Sequence, residues 1–136
     1  DGTVYVFDYH ADTGDLKRKQ SLSALPPGFA GKPSAADLHI TPHGKFLYGS
    51  ERTSSTLAGF SVDAATGSLT AIGSVPTEMH APGLHIDSPG RYLLAVGQLS
   101  HGLSSYSIDP ASGKLTKLKE YPMGKNPNWI EFADLP

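Results

Sequence analysis

AADLHITPHGKFLYGSERT (residues 35–53) is answered by APGLHIDSPGRYLLAVGQL (residues 81–99), and the likeness of the two stretches decides the fold. His39 and His85 lie 46 residues apart, as do Gly44 and Gly90. The period holds outward from there. TLAGFSVD (56–63) recurs as GLSSYSID (102–109), and ATGSL (65–69) as ASGKL (111–115). Upstream, TVYVFDY (3–9) and DTGDL (12–16) carry the same phrase 53 residues earlier. The seven extra residues fit the stretch LPPGFAGK (25–32), read as a loop insertion. Downstream, APGLHI (81–86) maps onto PNWIEF (127–132).

Within each unit the residues alternate with period two, as in Leu38 and Ile40 against Asp37 and His39. Successive strand side chains point to opposite faces, so such alternation predicts strands. Pro42-His43-Gly44 and Ser88-Pro89-Gly90 supply tight-turn chemistry, since proline presets φ and glycine accepts positive φ. Thr66-Gly67 and Ser112-Gly113 do the same for a second hairpin. Each full unit is therefore expected to hold four antiparallel strands, in the first copy near 35–42, 45–50, 56–63 and 69–75. Four strands in a repeat of about 40–50 residues mark a β-propeller blade.

The expected fold is all-β, a partial propeller treated as one domain over 1–136. It comprises the outer strands of one blade (1–25), full blades at 35–76 and 81–121, and an inner strand of a further blade at 127–133. That is eleven strands, whereas even a propeller of about four blades needs sixteen. The remaining blades are expected from the same protein or from another chain.

Composition narrows the function classes. With 38% hydrophobic and 18% charged residues the 136-residue chain has the balance of a folded globular domain. A formal charge of −2 offers no basic footprint, so no nucleic acid is expected. No apolar run approaches the ~20 residues of a membrane-spanning helix, so no membrane partner is expected. The absence of cysteine excludes disulfide and thiol chemistry and suits a cytoplasmic location. The six histidines show no HExxH pairing, no acidic loop reads as an EF-hand, and neither GxxxxGK[ST] nor GxSxG occurs. No metal and no cofactor is expected.

AADLHITPHGKFLYGSERT, VPTEMHAPGLHID (75–87), GRYLLAVGQLSHGLSSYSID (90–109) and PNWIEF together resemble the C-terminal part of the lactonase family of seven-bladed propellers. This is the 6-phosphogluconolactonase and carboxy-muconate cycloisomerase type. The resemblance covers essentially the whole chain. It implies a seven-bladed ring in the intact protein and hydrolysis of a sugar lactone, with 6-phosphogluconolactone as the substrate. A muconate-type lactonizing cycloisomerase and a non-enzymatic binding propeller are the alternatives.

Lactone hydrolysis needs an activated water, a donor for the developing oxyanion and a proton for the leaving oxygen. A phosphosugar also needs cations or N–H groups for its phosphate, a task suited to arginine. Arg52 falls where the family carries an arginine that handles the anionic substrate. Its repeat partner is Gln98, so blade architecture does not demand it; the alternative is a surface arginine paired with Glu51. Position 39 repeats as His85 and Glu131, polar each time. His39 is thus either a hydrogen-bonding residue between blades or a channel base. Asp37, repeated as Gly83 and Trp129, is placed at the channel mouth with Glu51 and His80 as substrate contacts. Relatives often carry Pro-Arg-Gly where this chain reads Ala81-Pro82-Gly83, which removes one expected substrate contact.

Overall fold

The structure, a computed structural model, describes residues 1–133. The described residues hold ten strands joined by turns and longer linkers: β1 (Thr3–His10), β2 (Asp15–Ser23), β3 (Ala35–Ile40), β4 (Phe46–Glu51), β5 (Thr56–Val62), β6 (Leu69–Pro76), β7 (Gly83–Ile86), β8 (Tyr92–Gly97), β9 (Gly102–Ile108) and β10 (Leu115–Pro122). They form one hairpin, β1-β2, and two four-stranded antiparallel sheets, β3-β4-β5-β6 and β7-β8-β9-β10. Among the described residues no helix is long and apolar enough to cross a membrane.

The repeat survives in three dimensions. β4, β5 and β6, moved 46 residues along, coincide in their bounds with β8, β9 and β10. The turns match atom for atom. Asp63 Oδ1 accepts the Thr66 N–H and hydroxyl, each at 2.7 Å, and Asp109 Oδ1 accepts the Ser112 N–H and hydroxyl at the same distances. Ser55 and His101 share a φ of 53°, and His80 and Asn126 have φ of 57° and 54°. In each repeat the first of these residues receives the backbone N–H of the second: His80 N to Ser55 Oγ at 3.2 Å, Asn126 N to His101 Nδ1 at 3.2 Å. His101 is therefore a blade-joining residue.

Blade sheets bury apolar side chains on both faces, so the cores lie between units. Phe46, Tyr48 and Leu57 of the first sheet pack against Leu84, Leu93, Tyr106 and Ile108 of the second. On the opposite face, Ala58, Phe60 and Leu69 pack against Val4 of the hairpin and Ala24 just after it. Tyr48 crosses the first seam, its hydroxyl donating to Gly113 O at 2.6 Å, and burial raises its phenol pKa well above the ordinary value.

One expectation changes. Residues 127–133 form no strand, because they find no ladder partner; they lie against β7, with Asn128 O close over Gly83. In β3 the alternation is present but inverted for burial. Leu38 and Ile40 are about half exposed, while Asp37 and His39 are turned toward β7 and partly covered.

Candidate functional site

β3 and β7 are the first strands of their sheets, and their free edges approach each other, as the inner strands of neighbouring blades should. The contact between them is polar. Asp37 Oδ1 accepts the Leu38 N–H at 2.9 Å, and Oδ2 reaches across to accept the Leu84 N–H at 3.0 Å. Asp37 is thus a hydrogen-bonded link between the two sheets. His39 Nε2 lies 3.4 Å from Asp37 Oδ2, and its ring meets that of His85 edge-on at 5.0 Å. Beyond His85 the row continues to Glu131, whose Oε2 is 2.8 Å from His85 Nδ1. The three residues of the repeated polar position thus stand side by side, reinforced by Asp37.

Gly83 makes this approach possible. A Cβ there would meet Asn128 O at 3.1 Å and Asp37 Oδ2 at 3.8 Å, so any side chain would press segment 127–133 away from β7.

Arg52 lies elsewhere. Its N–H donates to Ser34 O at 3.1 Å and its Nε to the same oxygen at 3.3 Å, pinning it beside the entry to β3. Five residues of strand separate position 34 from His39, about 16 Å at ~3.3 Å per residue. Arg52 thus marks one rim and the histidines sit farther along the edge. Among the described residues no carboxylate pairs with the Arg52 guanidinium, which leaves its terminal nitrogens available to an anion.

Glu51 forms no ion pair with Arg52 among the described residues. It is fully buried, and its carboxylate accepts the Ser34 N–H and, at 2.5 Å, the Ser54 N–H. Burial alone would raise its pKa, but hydrogen bonds from Ser54, Ser34 and Thr53 outweigh it and hold the carboxyl below its ordinary value. The next blade has glycine at the matching position, Gly97, and the carboxylate arrives from the linker. Glu78 lies over Gly97 and Gly102 and accepts the hydroxyls of Ser100 and Ser104, each at 2.5 Å. Both acids organise turns.

His80 shares the rim with Arg52. Its Nδ1 contacts Gln98 Oε1 at 3.1 Å, and Ser55 Oγ, which accepts its N–H, contacts Arg52 O at 3.4 Å. Asp37, His39, His85 and Glu131 are therefore brought together, Arg52 and His80 share a rim, and Glu51 is withdrawn. Glu131 and His85 were missed as site members, although their shared polar position in the repeat was the available signal. No group of three or more metal-ligating side chains is poised to hold a metal among the described residues.

The family model "Lactonase, 7-bladed beta-propeller" matches residues 1–132. A 6-phosphogluconolactonase of Pectobacterium atrosepticum is 41% identical over 99% of this chain, which spans 41% of that relative. One from Serratia proteamaculans is 46% identical over 96% of this chain and 39% of its own length. Among solved structures, a periplasmic gluconolactonase of Pseudomonas aeruginosa superposes with a TM-score of 0.90 at 30% identity, over 99% of this chain and 38% of that one. A Bacteroides fragilis protein described as a putative 6-phosphogluconolactonase gives a TM-score of 0.87 at 32% identity, over 98% and 36%. The chain thus spans about two fifths of the curated relatives it matches.

Proposed function

Because the chain belongs to the lactonase family of seven-bladed β-propellers, we propose that it is part of an enzyme that hydrolyses 6-phosphogluconolactone to 6-phosphogluconate. The blades that complete the ring are proposed to supply the rest of the pocket. The observation that supports this most is Arg52, a partly buried cation with no carboxylate partner among the described residues, at the rim of a histidine-lined edge.

In this scheme Arg52 holds the phosphate through charge-assisted hydrogen bonds. His39 Nε2 faces the Asp37 carboxylate, so Nδ1 is the nitrogen that takes a proton from the attacking water. The water oxygen bonds to the carbonyl carbon, and the ring C–O bond breaks to give the hydroxy acid. A phosphorylated substrate stays on the side of the membrane where it is made. The proposal therefore goes with a cytoplasmic enzyme, in contrast to the Pseudomonas aeruginosa relative, periplasmic by its name.

The test compares the full-length gene product with its Arg52→Ala variant on phosphorylated and unphosphorylated gluconolactone. Loss of hydrogen bonds to a charged group, about 1.5–3 kcal/mol, lowers kcat/KM for the phosphorylated lactone about 10- to 100-fold, chiefly through KM. The unphosphorylated lactone is turned over as before. Equal loss on both substrates removes Arg52 from phosphate binding, and absence of hydrolysis by the wild type removes the function.

A further inference from the structure

The polar row does not stop at His39. His85 is a partly covered imidazole whose Nδ1 lies 2.8 Å from two groups at once, Phe132 N and Glu131 Oε2. An unprotonated Nδ1 accepts the Phe132 N–H, and a protonated Nδ1 donates to Glu131. Either way Nδ1 is committed to segment 127–133, and Nε2 is the nitrogen left for a ligand. The Glu131 carboxylate is itself fixed, since its Oε1 accepts the Trp129 indole N–H at 2.9 Å. On the other side the facing groups are His39 and, behind it, Asp37. The result is a continuous order of Trp129, Glu131, His85, His39 and Asp37, with two imidazoles each backed by a carboxylate.

Two such imidazoles with ring centres 5.0 Å apart answer a need that one does not. Hydrolysis of a lactone takes a proton from water and gives one to the departing ring oxygen. We propose that His85 is the second proton-transfer residue of this site, delivering a proton from Nε2 to the leaving oxygen, and that Glu131 is the residue that positions it. This rests on the lactone-hydrolysis reading above.

The step balances. Doubly protonated His85, its Nδ1–H turned to Glu131 and the Phe132 N–H contact given up, releases the Nε2 proton to the alkoxide as the acyl C–O bond breaks. His39 meanwhile gains the proton lost by water as the new C–O bond forms. Transfer of that proton from His39 to His85, whose rings are neighbours, restores the starting state, and water plus lactone has become hydroxy acid.

The test is steady-state kinetics of the full-length gene product across pH, for the wild type, His85→Gln, Glu131→Gln and Glu131→Asp. Loss of a general acid lowers kcat of His85→Gln by about 10² or more with KM little changed, and the alkaline decline of kcat disappears. Glu131→Gln lowers kcat in the same direction by less, and Glu131→Asp recovers part of it. A wild type active on the lactone with both glutamine variants matching its kcat and pH profile overturns the inference and leaves the function standing. A wild type without lactone hydrolysis overturns both. Should His85→Gln fail to fold, Glu131→Gln decides, because its side chain is about half exposed and its replacement leaves the packing intact.

Discussion

Glu51 shows how little a residue's neighbours in sequence say about its work. It precedes Arg52 and invites reading as a salt-bridge partner or a substrate contact, yet its carboxylate is buried and serves the backbone of Ser34 and Ser54. The pairing of carboxylate with linker and turn was illegible because the contact joins residues 17 apart with no repeat to flag it; the next blade solves the same problem with Glu78. Glu51→Gln leaves at least one buried donor facing an amide NH2, so the variant is expected to lose about 1–3 kcal/mol of stability, measured by urea unfolding at pH 7. The sign with pH follows from the direction of the shift. Glu51 has its pKa lowered by folding, so its stabilisation is complete above the unfolded-state value of about 4.3 and is lost as pH falls through the lower native value. The gap between wild type and variant therefore narrows on acidification, and a gap that widened would contradict this role.

At the scale of elements, the hairpins were the most legible feature, because turn chemistry is local. The Asp-x-x-Thr/Ser-Gly turns at 63–67 and 109–113 have matching hydrogen bonds, and both glycines take positive φ, 68° and 69°. Their surroundings differ. A Cβ on Gly67 meets nothing within 4 Å, whereas one on Gly113 falls 2.4 Å from Phe46 Cδ1 and 2.8 Å from Ile72 Cδ1, across the seam. Gly67→Ala is thus expected to cost only the left-handed backbone penalty, about 1–2 kcal/mol. Gly113→Ala adds overpacking of about 1–3 kcal/mol. Thermal melts of the two variants test the order, and equal losses would show that the seam gives way freely. The strand expected at 127–133 failed for the complementary reason. A strand is completed by a partner's hydrogen bonds, and alternation in PNWIEF could not supply one. The polar row was half legible: the repeat showed that positions 39, 85 and 131 are polar together, but Asp37 bridging to Leu84 depends on two sheet edges meeting in space.

Across the whole molecule, the cores lie between units, so stability is set by seams as in other repeat architectures. The seam between the two four-stranded sheets joins large side chains from both, including Tyr48, Tyr106, Leu93 and Phe46, all nearly or fully buried. The seam with the β1-β2 hairpin is smaller. Its buried members are Val4, Ala24, Ala58, Phe60 and Leu69, and much of its hold is polar. Gln20 acts there as a substitute strand partner, its amide N–H donating to Leu69 O and its carbonyl accepting the Leu69 N–H, both at 2.8 Å. Lys19 Nζ adds a hydrogen bond to Thr66 O. Less buried apolar area means a lower free energy of opening, so the hairpin should open before the sheets part. Native-state hydrogen exchange is expected to show lower protection for the amides of β1 and β2 than for those of β4, β8 and β9. Gln20→Ala removes both hydrogen bonds, at about 0.5–1.5 kcal/mol each, and should speed exchange in the hairpin by up to about two orders of magnitude while β8 and β9 are unaffected. Equal acceleration in β8 and β9 would mean that hairpin and sheets open as one cooperative unit.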